Sequence, residues 1–283
     1  MQKIVAASLL TLVAGSAAAS YVQPFRGGAQ VTAPMKHADT TYYGSTLSVR
    51  IDESVPVPLL RALNEPDEFD PAGTWGMLNG SQYNSQYGWN FSRVDAYPPV
   101  GAWFWIEQLD ASPGLRAYEQ DTGKPIFGTD GSSPRWRWSG VMMHNLYAIE
   151  RPRESELFAS YRMYIGYDAT GEPVPDYTAA EVTFAFLATP PLPGDYNNDG
   201  VVDALDYAVW SEQYGAGGDS LAADGNGDRL VDVGDYTLWR DHQTPVAAAV
   251  AAAAPEPVAF GLLAWAVVIA ASRRPRNGGC REL

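Results

Sequence analysis

From Asp195 the chain reads D-Y-N-N-D-G-V-V-D-A-L-D-Y-A-V-W, and from Asp224 it reads D-G-N-G-D-R-L-V-D-V-G-D-Y-T-L-W. The two runs are offset by 29 residues and agree in register, with Asp at positions 1, 5, 9 and 12, Asn at 3, Tyr at 13 and Trp at 16. Chance readily supplies one such run, but not two in matched register. Short oxygen-bearing side chains at alternate positions turn inward as a loop curls. A shell of that kind suits a hard cation that takes roughly 6–8 oxygens at about 2.3–2.6 Å, which is calcium. The first ligand set is Asp195, Asn197, Asp199, the carbonyl of Val201, Asp203 and Asp206. The second is Asp224, Asn226, Asp228, the carbonyl of Leu230, Asp232 and Asp235. Position 9 binds directly or through water, and position 12 closes the shell from the first turn of a helix. The alternative is a solvated acidic surface. However, residues 195–241 hold 11 carboxylates against 2 arginines, a charge of −9. Eight of those carboxylates are expected to converge on two points, which is costly without a cation. The sequence therefore predicts two Ca2+ ions.

Each loop must be followed by a helix and held by a partner. Pro190, Pro191 and Pro193 forbid a helix before the first loop. Val202 and Val231, at position 8, are expected to pair the loops through a short strand contact. Tyr207, Trp210, Tyr236 and Trp239 are expected to form a small core rather than a sugar platform. A duplicated loop-then-helix unit with Asp at position 12 resembles the type I dockerin module over about residues 194–243. The resemblance implies two bound calcium ions and docking onto a cohesin-like scaffold protein through residues on the helices. Two features depart from the pattern. Arg229 stands at position 6 of the second loop, where Gly eases the turn, and a side chain at positive φ costs about 1–2 kcal/mol. Positions 10 and 11 are Ala204-Leu205 and Val233-Gly234, where hydroxyl residues are common in that family.

Both chain ends read as addresses. Residues 1–19 combine Lys3, the apolar run Ile4–Val13 and Ala17-Ala18-Ala19, the pattern of a secretory signal peptide. At the other end, Pro255-Glu256-Pro257 precedes the apolar stretch 258–272 and then Arg273, Arg274 and Arg276. A 15-residue helix is about 22 Å long, short of a bilayer's hydrocarbon core of about 30 Å. Residues 255–283 resemble a PEP-CTERM sorting signal. That resemblance implies transient anchoring in the inner membrane, removal by an exosortase-type protease, and release to the cell surface or extracellular matrix. A plain single-span anchor is the alternative. Loss of Lys3 with the leader, and of four arginines and Glu282 with the tail, takes the net charge from −14 to −18. Cys280 leaves with the tail, so the mature chain has no disulfide.

Between these lies a domain of residues 20–190, joined through the calcium module (191–243) to a linker at 244–254. Strands are predicted over Thr41–Asp52, Ala102–Asp110, Leu115–Gln120, Arg135–Met142, Leu146–Glu150, Leu157–Asp168 and Ala180–Ala188, with 64–100 as a loop region carrying short strands. The fold class is mainly β: an antiparallel β-sandwich or jelly-roll-like domain, a small α-helical module and a C-terminal apolar helix. A negative chain argues against nucleic acid as partner. No nucleophile elbow, zinc-binding helix or phosphate loop is present, and no catalytic residue is assigned. His37 and His144 are expected to be structural or on the surface. Glu107, Glu119, Glu150 and Asp168 are expected to face outward; two of them about 5–10 Å apart would make a glycoside hydrolase. Trp103 with Trp105, and Trp136 with Trp138, each share a strand face and are expected in the core. An exposed carbohydrate-stacking face is the alternative.

Overall fold

The computed structural model describes residues 20–64, 66–94, 97–218 and 221–243. The segments expected as leader (1–19), linker (244–254) and sorting tail (255–283) lie outside the described residues. Among the described residues, no helix is long and apolar enough to cross a membrane.

Among the described residues the protein is mainly β, with two sheets and two α-helices. Strand β1 (Lys36–Tyr43) turns at Gly44, φ +61°, into β2 (Thr46–Ile51). The run Thr41–Asp52 is thus a hairpin rather than one strand. The first sheet adds β3 (Gln82–Asn84), β4 (Tyr87–Val94), β6 (Arg116–Glu119), β7 (Pro125–Ile126) and β9 (Met143–Ile149). Its path is β2-β1-β4-β9-β6-β7, with β3 also against β9. The second sheet runs β11-β10-β5-β8, where β5 is Ala102–Ala111, β8 is Arg135–Arg137, β10 is Glu156–Tyr167 and β11 is Ala180–Leu187. One pair corrects the antiparallel expectation: β1 and β4 run parallel, from Lys36↔Tyr87 to Tyr42↔Val94. The long connection from β2 to β4 permits this, because a parallel neighbour needs a crossover that a tight turn cannot give. The run Arg135–Met142 is also shorter than expected, since Gly140 at φ +83° leaves extended geometry just before β9.

The alternation predicted for strands is clearest in β5. Phe104 and Ile106 point inward and are buried, while Trp103 and Trp105 point out and are half-buried. One apolar cluster draws on both sheets. Trp89 of β4 meets Tyr161 of β10 edge-on at 5.6 Å, and Tyr87 stacks on Phe184 of β11 at 4.0 Å. Each such pair is worth about 0.5–1.5 kcal/mol beyond its buried area. A second cluster lies around Phe69, Trp75, Leu78, Tyr83, Tyr118 and Leu146. Residues 64–100 therefore contribute core as well as loop. Tyr87, Trp89 and Phe91 alternate along β4, but Phe69, Trp75 and Leu78 follow no period, so the sequence pattern did not reveal the second cluster.

Candidate metal centres

Helix α1 (Ala204–Gln213) and helix α2 (Val233–Asp241) each start at an acidic N-cap, Asp203 and Asp232. In both, the cap forms a reciprocal box with the third helical residue, Asp206 or Asp235. Position 9 thus starts the helix, and position 12 is carried back over the loop by its first turn.

The two loops share most of their hydrogen bonds, although Asp195 Oδ1 accepts the amide of Asp199 (position 5) at 3.2 Å where Asp224 Oδ1 accepts that of Gly227 (position 4) at 2.7 Å. Asp206 Oδ1 accepts from the amides of Tyr196 and Asn197 at 2.7 and 3.0 Å, and its Oδ2 accepts from Asp203 at 2.8 Å. Asp235 Oδ1 accepts from Gly225 and Asn226 at 2.8 and 3.1 Å, and its Oδ2 from Asp232 at 2.8 Å. Position 1 accepts the amide of position 6: Gly200 to Asp195 at 2.9 Å, Arg229 to Asp224 at 3.1 Å. Position 3 donates to position 5: Asn197 to Asp199 at 2.8 Å, Asn226 to Asp228 at 3.0 Å. Position 5 accepts the amide of position 7, Val201 at 2.8 Å and Leu230 at 2.9 Å.

The units are also tied crosswise. Trp210 Nε1 donates to the carbonyl of Asp232 at 2.8 Å, and Trp239 Nε1 donates to that of Asp203 at 2.6 Å. Each helix thereby holds the ninth position of the opposite loop. Tyr207, Trp210, Tyr236 and Trp239 close into a box of rings 5.1–6.3 Å apart. Beside it lie Tyr196, Ala223 and Val231, all buried, with Trp210 and Trp239 packed on them. The valine contact differs from expectation. Val231 exchanges backbone bonds with Gly215 and Ala216, both 2.9 Å, because the segment between the helices occupies that edge.

Backbone strain is shared differently from what Arg229 alone suggested. Positions 4 and 6 are left-handed in both loops: Asn198 (φ +61°) and Gly200 (+83°), then Gly227 (+84°) and Arg229 (+70°). Each loop thus carries one glycine and one side chain there. Asn tolerates this region better than Arg, so the second loop remains the more strained.

The carboxylates at positions 1 and 12 are buried: Asp195, Asp206, Asp224 and Asp235 are 4, 0, 7 and 0 % exposed. Burial pushes the Asp195 carboxyl up, and Asp206 and Asp199 add to this against the amides of Gly200 and Asn198. The donor set is all oxygen, which fits calcium rather than a soft metal. Among the described residues, however, no group of three or more Asp, Glu, His or Cys side chains stands ready to hold a metal ion. The carboxylates are in matched register in the two loops, and those at positions 1, 5 and 12 accept backbone amides of their own loop.

Two residues that sequence reasoning missed bear on these loops. Arg151 Nη1 donates to the carbonyl of Ala222 at 2.7 Å, and its Nη2 donates to that of Tyr196 at 2.6 Å. Arg153 Nη2 pairs with Asp224 Oδ2 at 3.0 Å. Both come from the connection between β9 and β10, 71 residues before Ala222 and Asp224. No local pattern links positions so far apart.

The four candidate carboxylates of the β domain are already engaged. Glu107 pairs with Arg135 at 3.2 Å and with Arg162. Burial pushes its carboxyl up, but the hydrogen bonds and charges of Arg162 and Arg135 outweigh that and hold it below the usual range. Glu150 pairs with Arg116 at 2.7 Å and Asp168 with Arg137 at 2.9 Å. Glu119 accepts from the Trp136 indole at 2.9 Å, beside an open cleft of about 250 Å³. Trp136 and Trp138 are buried in the core as expected. Trp103 and Trp105, expected in the core, lie instead on the outer sheet face because Phe104 and Ile106 take the inward positions; Arg137 sits over Trp103 at 5.5 Å and Gly171 packs on Trp105. Their indole nitrogens are enclosed without a hydrogen-bond partner. His144 is buried with Nδ1 on the carbonyl of Ser85 at 2.9 Å, and His37 lies against it at 5.9 Å. Comparison with protein-family models, curated proteins and solved structures finds no match for the chain.

Proposed function

We propose that residues 194–243 bind two calcium ions and, so ordered, dock the chain onto a cohesin-like scaffold protein in the manner of a type I dockerin. The observation that carries this reading is the hydrogen-bond pattern that the two loops share. The aspartates at position 12 meet the same three backbone amides in both copies, those at position 1 both accept the amide of position 6, and the link from position 3 to position 5 recurs with them. The first ion would be held by Asp195, Asn197, Asp199, the Val201 carbonyl, Asp203 and Asp206. The second would be held by Asp224, Asn226, Asp228, the Leu230 carbonyl, Asp232 and Asp235. Each ion supplies positive charge to carboxylates that burial disfavours, so binding energy becomes folding energy.

The helices offer an exposed apolar surface suited to a protein partner. Leu205 and Val233, at the start of α1 and α2, are each 60 % exposed. The two sheets with their shared core form a β-sandwich that the module carries. The chain is exported by residues 1–19 and released to the cell surface or matrix by cleavage near Pro255-Glu256-Pro257. The reading is tested by mixing the full chain with a cohesin-like domain in calcium and in chelator. Complex formation only with calcium supports it, and equal or absent binding in both refutes the docking. Intact-mass measurement of surface-extracted protein tests the tail, since a mature form that retains Arg273–Leu283 contradicts cleavage.

A further inference from the structure

The two loops differ at position 1 in a way that their sequences do not explain. The second has a cation from the β domain resting on it. Asp224 has a side chain only 1 % exposed, and its Oδ2 takes Arg153 Nη2 at 3.0 Å beside the Arg229 amide at 3.1 Å. The corresponding oxygen of Asp195 takes the Gly200 amide at 2.9 Å. The glycine exchange between the loops fits this contact. The first loop accepts Asn198 at position 4, but a Cβ on Gly227 would stand 1.9 Å from Arg153 Nη1. Gly227 therefore leaves the space through which the guanidinium reaches Asp224. Arg151, two residues earlier, bridges a carbonyl of each unit, Tyr196 and Ala222. One short connection thus grips both loops: the Arg151 charge also acts on Asp195 and Asp206, while Arg153 pairs directly with a carboxylate, that of Asp224.

We propose that Arg153 is an internal counter-cation for Asp224, so that calcium at the second loop and docking of the module on the β domain oppose one another. The proposal rests on the calcium reading above. Arg153 is a positioning residue: it lends positive charge to a buried carboxylate that an incoming Ca2+ would otherwise hold. A second positive charge at the same carboxylate lowers the gain from the ion. Linkage then requires that the ion weaken the arginine contact by the same factor. The pair is half-exposed on the arginine side, which keeps this factor modest.

The experiment is a calorimetric calcium titration of the full chain and of Arg153→Gln and Arg153→Lys. The second-loop site is identified as the one lost in Asp228→Ala. Arg153→Gln is expected to tighten that site by about fivefold, with the first-loop site unchanged, and to steepen its dependence on KCl. Arg153→Lys keeps the charge and is expected to behave as wild type. Amide exchange at residues 150–155 of the wild type should rise as the second site fills. Two bound ions with no tightening in Arg153→Gln overturn the proposal and leave the calcium reading intact. A wild-type chain that takes up no calcium overturns both.

Discussion

Removing the Asp206 carboxylate should unfold the module while the β domain stands. Asp206 is fully buried and satisfies three backbone amides, those of Tyr196, Asn197 and Asp203, at 2.7–3.0 Å. Hydrogen bonds to a charged acceptor contribute about 1.5–3 kcal/mol each. Part of that is offset, because the Asp206 charge helps push Asp195 up and Asp206→Ala relieves it. The net loss is at least about 3 kcal/mol, comparable to what a segment of about 50 residues with so small a core can hold. Asp206→Asn keeps one acceptor oxygen on a neutral group and should fall between the alanine variant and wild type. The assay is thermal unfolding of the full chain followed by circular dichroism at 222 nm at one fixed, saturating calcium concentration. The expected result is loss of the module's transition, with the β-domain transition unmoved. Asp235→Ala should do the same, since its bonds are the same. A module transition within about 1 kcal/mol of wild type would refute the reasoning that position 12 organises the loop.

Further outcomes follow from single contacts. Trp210→Phe and Trp239→Phe each remove an indole bond to the opposite loop, at 2.8 and 2.6 Å, and should each destabilise the module by about 1 kcal/mol in the same unfolding assay. Arg229→Gly relieves a side chain at φ +70° and should raise module stability by about 1 kcal/mol and tighten calcium at the second loop, while Gly200→Arg should do the reverse. His144 is held down chiefly by burial, with its ordinary value at 6.5. The folded state therefore resists a proton that the unfolded chain accepts, so β-domain stability is complete above that value and falls as the pH drops through it; urea unfolding across pH 4.5–7.5 should show the decline, and His144→Asn should flatten it. Glu107 is held low by its arginines, so its contribution is present above the ordinary carboxylate value and is lost as the pH falls through its lowered value, an acid limb that Glu107→Gln should remove.

Much of the site was legible because its chemistry is local. The proposed ligands of one loop lie within 12 residues, and the cap at Asp203 and its box partner Asp206 are three apart, so spacing alone placed them. The strands of the second sheet were legible for a similar reason, since Phe104 and Ile106 alternate with Trp103 and Trp105. The parallel pairing of β1 with β4 was not legible, because register between distant strands is set by the path of the connecting chain. The core around Phe69, Trp75 and Leu78 was missed because its residues sit in irregular backbone without a period. Arg153 was missed because its partner lies 71 residues away. The equal division of glycines between the loops was half visible: Arg229 at position 6 stood out, but the left-handed geometry at position 4 did not.

The central claim is that two loops of one design each hold a calcium ion. It is tested most directly by native mass spectrometry of the metal-stripped full chain with added calcium. The account predicts two ions on the wild-type chain, one on Asp195→Ala or Asp224→Ala, and none on the double variant. A wild-type chain that binds no calcium, or a double variant that still binds two ions, would contradict it.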